Sequence, residues 1–126
     1  MKLWPKIAAF FLGGWLYVAL ELLWRRRSHP SMFAASGLSL ALIGFLREKC
    51  PRFSLPLRLI SGAGIITALE LITGLLVNRD HTVWDYRCLP GNFHGQICPQ
   101  FCLLWIPMAW IADRIYRMLV KCFDPL

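Results

Sequence analysis

Four long apolar runs separated by clusters of charge constrain this chain more than any other feature. They lie at about residues 5–25, 30–47, 57–77 and 98–118, and each approaches the length of helix that crosses about 30 Å of hydrocarbon. Backbone in lipid must satisfy its own hydrogen bonds, which leaves helices and closed barrels as the spanning structures. None of the runs alternates like a strand. The expected class is therefore all-α: a polytopic membrane protein, one integral domain over 1–126 built as a four-helix transmembrane bundle, with residues 78–97 as a structured loop. A hydrophobic share of 57% in 126 residues agrees with this solvent.

The first run follows Lys2 and Lys6, as the core of a signal peptide would. No small-residue cleavage site follows it, and Arg25, Arg26 and Arg27 end it in a stop-transfer pattern, so it is expected to remain as a membrane helix. Trp4 and Trp24 suit its two interfaces. Ser28-His29-Pro30 opens the second helix, Arg47-Glu48-Lys49 closes it, and Pro51 to Pro56 form a short connection. Asn78-Arg79-Asp80 stops the third. Pro107 is expected to kink the fourth, and Asp113, Arg114, Arg117 and Lys121 bring it out of the membrane.

The formal charge of +7 would suggest nucleic acid in a soluble protein. Here the basic residues gather at the ends of apolar segments, where they anchor to headgroups, so the bilayer and not nucleic acid is the expected partner. Four crossings put both termini and the 2–3 connection on one side with Arg47, Lys49, Arg52, Arg58, Arg114, Arg117 and Lys121. The positive-inside rule then predicts a multi-pass protein of the cell membrane with cytoplasmic termini, although the arginine triplet pulls the other way.

Helices 1 and 3 share a pattern. Gly13 precedes Ala19-Leu20-Glu21-Leu22 at the spacing at which Gly62 precedes Ala68-Leu69-Glu70-Leu71. A parallel repeat of two helical hairpins would produce this, and so would coincidence in a Leu- and Ala-rich alphabet.

Glu21 and Glu70 are the sharpest single positions, because an acid at membrane depth is costly unless it is paired or faces a polar interior. On helix 3 it shares a narrow small and polar face with Ala63, Thr67 and Gly74; helix 1 repeats the idea with Gly14, Tyr17 and Glu21, and helix 2 adds Gly37, Ala41 and Gly44. Glu21, Thr67 and Glu70 are thus a candidate intramembrane polar site for a proton, a cation or a polar headgroup. The alternative is structural: Glu21 at the level of Arg25, and Glu70 hydrogen-bonded to a neighbouring helix.

The loop holds a second candidate set, Trp84, Asp85, Tyr86, Asn92 and Gln96. Leu89-Pro90-Gly91-Asn92 has the order of a type II turn, and Trp84, Tyr86, Leu89, Phe93 and Ile97 offer apolar contacts, so an ordered cap is expected, in part re-entrant or lying at the helix ends. Asp85 is expected to accept backbone N–H groups or to pair with Arg79 or Arg87.

The five cysteines lack paired CxxC spacing, and His94, Cys98 and Cys102 share a helical spacing that Pro99 interrupts, so no metal and no cofactor is expected. G-x-x-x-x-G-K-[ST], G-x-S-x-G and H-E-x-x-H do not occur, and no nucleophile–base pair suggests an enzyme.

Leu69-Glu70-Leu71-Ile72-Thr73-Gly74-Leu75-Leu76, Asn78, Val83-Trp84-Asp85-Tyr86, Leu89-Pro90, Asn92 and Gly95-Gln96-Ile97-Cys98 resemble the family of small polytopic membrane proteins described as "Putative ABC-transporter type IV". The distinctive part runs from about Leu69 to Trp105. The resemblance implies an integral membrane protein with a transport role, Glu70, Trp84, Asp85, Tyr86, Asn92 and Gln96 as its shared positions, and an ATPase on a separate chain. Two functions are expected to compete: a transport-related permease-like or accessory component, working as a homo-oligomer or with partner membrane subunits, and an adaptor that binds a protein or headgroups through the loop between helices 3 and 4.

Overall fold

The computed structural model describes residues 3–26 and 29–123, without the side chains of Arg25 and Phe123. Lys2, Arg27 and Ser28 lie outside the described residues, so the arginine triplet and the Ser28 start are only partly visible. Four helices account for nearly all of the rest: α1 Leu3–Arg25, α2 Pro30–Lys49, α3 Leu55–Val77 and α4 Pro99–Phe123. No strand forms among the described residues; Phe93 and Ile97 make one isolated bridge.

Local chemistry sets the ends. His29 caps α2 by accepting the Ser31 N–H on Nδ1 at 3.1 Å, with Pro30 in the first turn where its missing N–H costs nothing. Ser54 caps α3 through the Leu57 N–H, so α3 starts two residues earlier than expected and takes Pro56 into its first turn. Arg26 leaves α1 in the left-handed region at φ 58°, and its N–H returns to Leu22 O at 3.1 Å. α4 runs five residues beyond its expected end, because its basic last turns stay helical at the bundle edge.

Successive helices run antiparallel. α1 packs on α2, α3 on α4, and α2 also touches α3 and α4; α1 meets α4 but not α3, which lies diagonally across. Small residues permit these approaches. A Cβ on Gly44 would collide with the Tyr116 ring of α4, and one on Gly37 with the Phe10 carbonyl of α1. The repeat glycines behave alike: Gly13 faces Leu40 of α2 and Gly62 faces Ala109 of α4, each on its hairpin partner.

α1, α2 and α3 are long and apolar enough to cross a membrane. Their lipid-facing sides are strongly apolar, with Trp4, Phe11, Trp15 and Leu23 exposed on α1 and Ile60, Ile72 and Leu76 on α3. α4 is more amphipathic. Its interior face repeats at Trp105, Ala109, Asp113 and Tyr116, all buried.

Candidate membrane-embedded site

The two ends of the bundle are closed by different chemistry. At the end holding the α2–α3 connection, Arg47 Nη1 donates to both Asp113 oxygens, at 2.8 and 2.7 Å, and ties α2 to α4. Lys6 of α1 pairs with Glu48 of α2, whose other oxygen accepts from Tyr116 Oη of α4 at 2.7 Å. Three helices are thereby tied together by charge-assisted bonds. The sequence treated Asp113 as a residue leaving the membrane; its position four residues after Ala109 on the buried face is the signal that it points inward.

At the other end the segment 78–98 folds into a cap organised by Asn78 and Gln96, both fully buried. Asn78 Nδ2 donates to Trp84 O at 2.7 Å and to Gln96 Oε1 at 2.9 Å. Asn78 Oδ1 accepts from Val83 N at 2.8 Å and Trp84 N at 3.3 Å. Gln96 Nε2 returns to Asn78 O at 2.8 Å, and Trp84 Nε1 donates to Gln96 O at 3.0 Å. Gly74 makes room for Gln96, whose amide would strike a Cβ there. Sequence reasoning read Asn78 only as a helix stop and missed its central role.

The expected turn is present, with Gly91 after Pro90 in the left-handed region at φ 77°, the conformation the third position of a type II turn requires. Asn92 braces it, donating to Leu89 O at 2.9 Å and accepting from Gly95 N at 2.9 Å. Asp85 sits apart from this core. It accepts from Arg87 N at 2.9 Å and makes a bidentate pair with the Arg87 guanidinium, all on the exposed face. Those Arg87 bonds hold the Asp85 carboxyl down to about 2.

The cap also reaches into the bundle. Val83 and Trp84 pack against Met32 of α2 and Tyr17 of α1. Tyr86 stacks on Phe101 of α4 at 4.8 Å between ring centroids and donates from Oη to Glu70 Oε2 at 2.8 Å. Glu70 lies seven residues before Val77, the last residue of α3, so the contact is about 10 Å below the helix end at 1.5 Å per residue. Trp105 Nε1 of α4 donates to the other carboxyl oxygen at 3.3 Å. Burial, then the Glu70 carboxyl, push the Tyr86 phenol far above its ordinary value, so it remains a donor across the physiological range.

Glu70 opens onto a cavity of about 420 Å³ between the helices. Its walls are apolar, with Leu40 and Ile43 from α2, Ile66 from α3 and Met108 from α4; Trp84 and Trp105 close it beside the acid. Leu16 and Leu20 of α1 and Ile111 of α4 line it too, and each is also exposed on the outer surface, so the cavity opens sideways between α1 and α4.

The structure thus brings Glu70 together with Trp84, Tyr86 and, through the cap, Gln96. Thr67 faces α4, its hydroxyl against Cys102 Sγ at 3.5 Å, and lies outside the cavity lining. Glu21 is buried on α1, also outside that lining. Trp105, to which sequence reasoning assigned no site role, is a direct partner of Glu70. Among the described residues no cluster of three His, Cys, Asp or Glu side chains is placed to hold a metal.

An all-helical bundle with three membrane-length helices and an acid held at depth by aromatic donors defines a polytopic membrane protein. Its family is shown by a sequence profile described as "Putative ABC-transporter type IV", which matches residues 32–124. The chain belongs to this family and is a transport-related membrane protein. The match spans nearly all of α2 and the whole of α3, the cap and α4, and so contains Glu70 with its partners Tyr86 and Trp105 but leaves Glu21 and the α1 side of the cavity outside. No curated protein and no solved structure gives a significant match.

Proposed function

We propose that this chain is the permease-like membrane component of a transport system and that the Glu70 cavity is where its solute binds. The observation that carries this reading is a preformed cavity of about 420 Å³, in the size range of small-molecule sites, with one carboxyl held by two aromatic donors. An acid kept inside an apolar bundle is costly, and a site for a polar or charged solute accounts for it. The chain carries no phosphate-loop motif, so an ATPase on a separate chain supplies any nucleotide hydrolysis. It performs no catalysis of its own. Four crossings, termini on the cytoplasmic side of the cell membrane and assembly as a homo-oligomer or with partner subunits complete the reading; four helices enclose little of a path alone.

Cells producing the wild-type chain, Ser39→Phe and Arg87→Glu test it, with solutes inside and outside profiled by mass spectrometry. Ser39 lines the cavity, and its hydroxyl bonds only Ala35 O of its own helix at 2.8 Å, so the larger ring fills space without cutting a link between helices. Arg87 lies on the cap's outer face. Transport requires that Ser39→Phe abolish the solute difference while Arg87→Glu leaves it. The reverse pattern would identify an adaptor working through the cap surface.

A further inference from the structure

We propose that the cavity takes a small lipophilic organic monocation, which enters sideways from the bilayer between α1 and α4 and sets its charge against the Glu70 carboxyl. The inference rests on the reading of the cavity as the solute site and names the solute's class. Three features of the cavity carry it.

The first is charge. Glu70 is the cavity's one acid, and among the described residues no Lys, Arg or His side chain lines it or pairs with Glu70. Its two oxygens accept one hydrogen bond each, from Tyr86 and Trp105, while a carboxylate has about four acceptor positions. Capacity remains on the cavity side. The second is the wall: the lining is overwhelmingly apolar, so a strongly hydrated ion such as sodium would exchange its water shell for too few oxygens, whereas a cation wrapped in hydrocarbon has no tight shell to lose. Trp84 and Trp105 line the same cavity, and an aromatic wall suits a diffuse positive charge.

The third is the route. Leu16, Leu20 and Ile111 are exposed outside and line the cavity inside, whereas the Asn78–Gln96 cap closes one end of the bundle and the Arg47–Asp113 and Lys6–Glu48 pairs tie the helices at the other. A molecule that concentrates in the lipid meets the opening directly. A water-soluble ion does not.

Tetraphenylphosphonium and tetraphenylborate have nearly the same shape and opposite charge, so together they separate charge recognition from apolar filling. Binding of each to the full chain, purified in mild detergent, is measured by titration calorimetry, with titration into the same detergent without protein as the correction for micelle partitioning. The wild type is expected to bind the phosphonium saturably and about tenfold or more tighter than the borate, the scale of one desolvated charge contact. Glu70→Gln removes the charge at nearly the same shape, keeps an acceptor for one of the two donors, and should erase that preference. Equal affinity for the two ions, or no saturable phosphonium binding, overturns the proposal, and neither result depends on a variant that folds. An apolar slot for a lipid chain would show as equal affinity with a lipid co-purifying. Binding and transport fail separately. Charge-selective binding with solute profiles unmoved by Ser39→Phe keeps the cation site and removes the transport reading; charge-blind binding with Ser39-dependent profiles does the opposite.

Discussion

Removing the Asn78 side chain should detach the cap, and the structure supplies the scale. Asn78→Ala strands the Val83 N–H and the Trp84 carbonyl, which now make bonds of 2.8 and 2.7 Å, and weakens the anchoring of Gln96 and of the Trp84 N–H. Each buried polar group left unsatisfied costs about 1–3 kcal/mol, so the two short bonds alone put the loss at about 2–6 kcal/mol. The other two bonds use the same two Asn78 atoms and add little independently. A loss of that size is a large part of the stability of a small domain. The assay is thermal unfolding of the full chain in mild detergent, joined to amide exchange over residues 78–98. Asp80→Ala and Asp85→Ala are the controls: Asp80 bonds only exposed Thr82, and Asp85 only exposed Arg87. Asn78→Ala should melt well below both and expose the Val83 and Trp84 amides to fast exchange. If all three variants melt together with those amides still protected, Asn78 does not organise the cap.

Cys88 on the cap and Cys122 near the end of α4 are both exposed, and the bundle puts them at opposite ends; retained one at a time, they should react with an impermeant maleimide from opposite sides of the membrane. Gly44→Ala drives a methyl group into the Tyr116 ring and should lower the unfolding free energy by about 1–3 kcal/mol, with the melting temperature as readout. Asp113→Ala leaves the partly buried Arg47 without its bidentate partner and should cost about 1–3 kcal/mol, much of it absent from a double variant that also replaces Arg47. Because Arg87 holds the Asp85 carboxyl below its ordinary 3.8, the pair's contribution is complete above about pH 4 and disappears as the pH falls through about 2, so the melting difference between wild type and Asp85→Asn should vanish over that window.

Helix number, class and approximate bounds were legible because they depend on run length and on the residues between runs. The turn at Pro90-Gly91 was legible for the same local reason: a positive φ of 77° needs glycine. The partners were not. Nothing in the spacing of Tyr86, Glu70 and Trp105 says that they meet, since the meeting depends on how far the cap dips between α3 and α4. Asp85 drew attention as an acid between two aromatics, yet its bonds are local and exposed, whereas the neutral Asn78 holds the buried links. An amide that caps a helix from outside the apolar run looks like any other stop signal until its burial is known. The pairing of Arg47 with Asp113 joins helices far apart in sequence and follows from packing that Gly44 permits.

α4 shows how one segment can be too polar by composition and still belong inside. Pro99 to Ala112 carries no charge, and the acid that follows, Asp113, is buried against Arg47 of α2. The pair removes much of the cost of each charge where α2 nears its own end. Arg114 lies over the Trp110 ring at 5.2 Å, a position from which a long basic side chain extends along apolar surface towards the headgroups. The outward charges begin only after the uncharged stretch, and that stretch faces α3, Glu70 and the cavity. A helix lying along the membrane surface would instead place Trp105, Ala109 and Tyr116 away from the partners that bury them. These contacts fit the proposal that α4 is a fourth crossing whose polarity is taken up by its neighbours. Labelling of Cys88 and Cys122 from the same side would require α4 to leave the bundle, and the Trp105–Glu70 bond and the cavity would be lost with it.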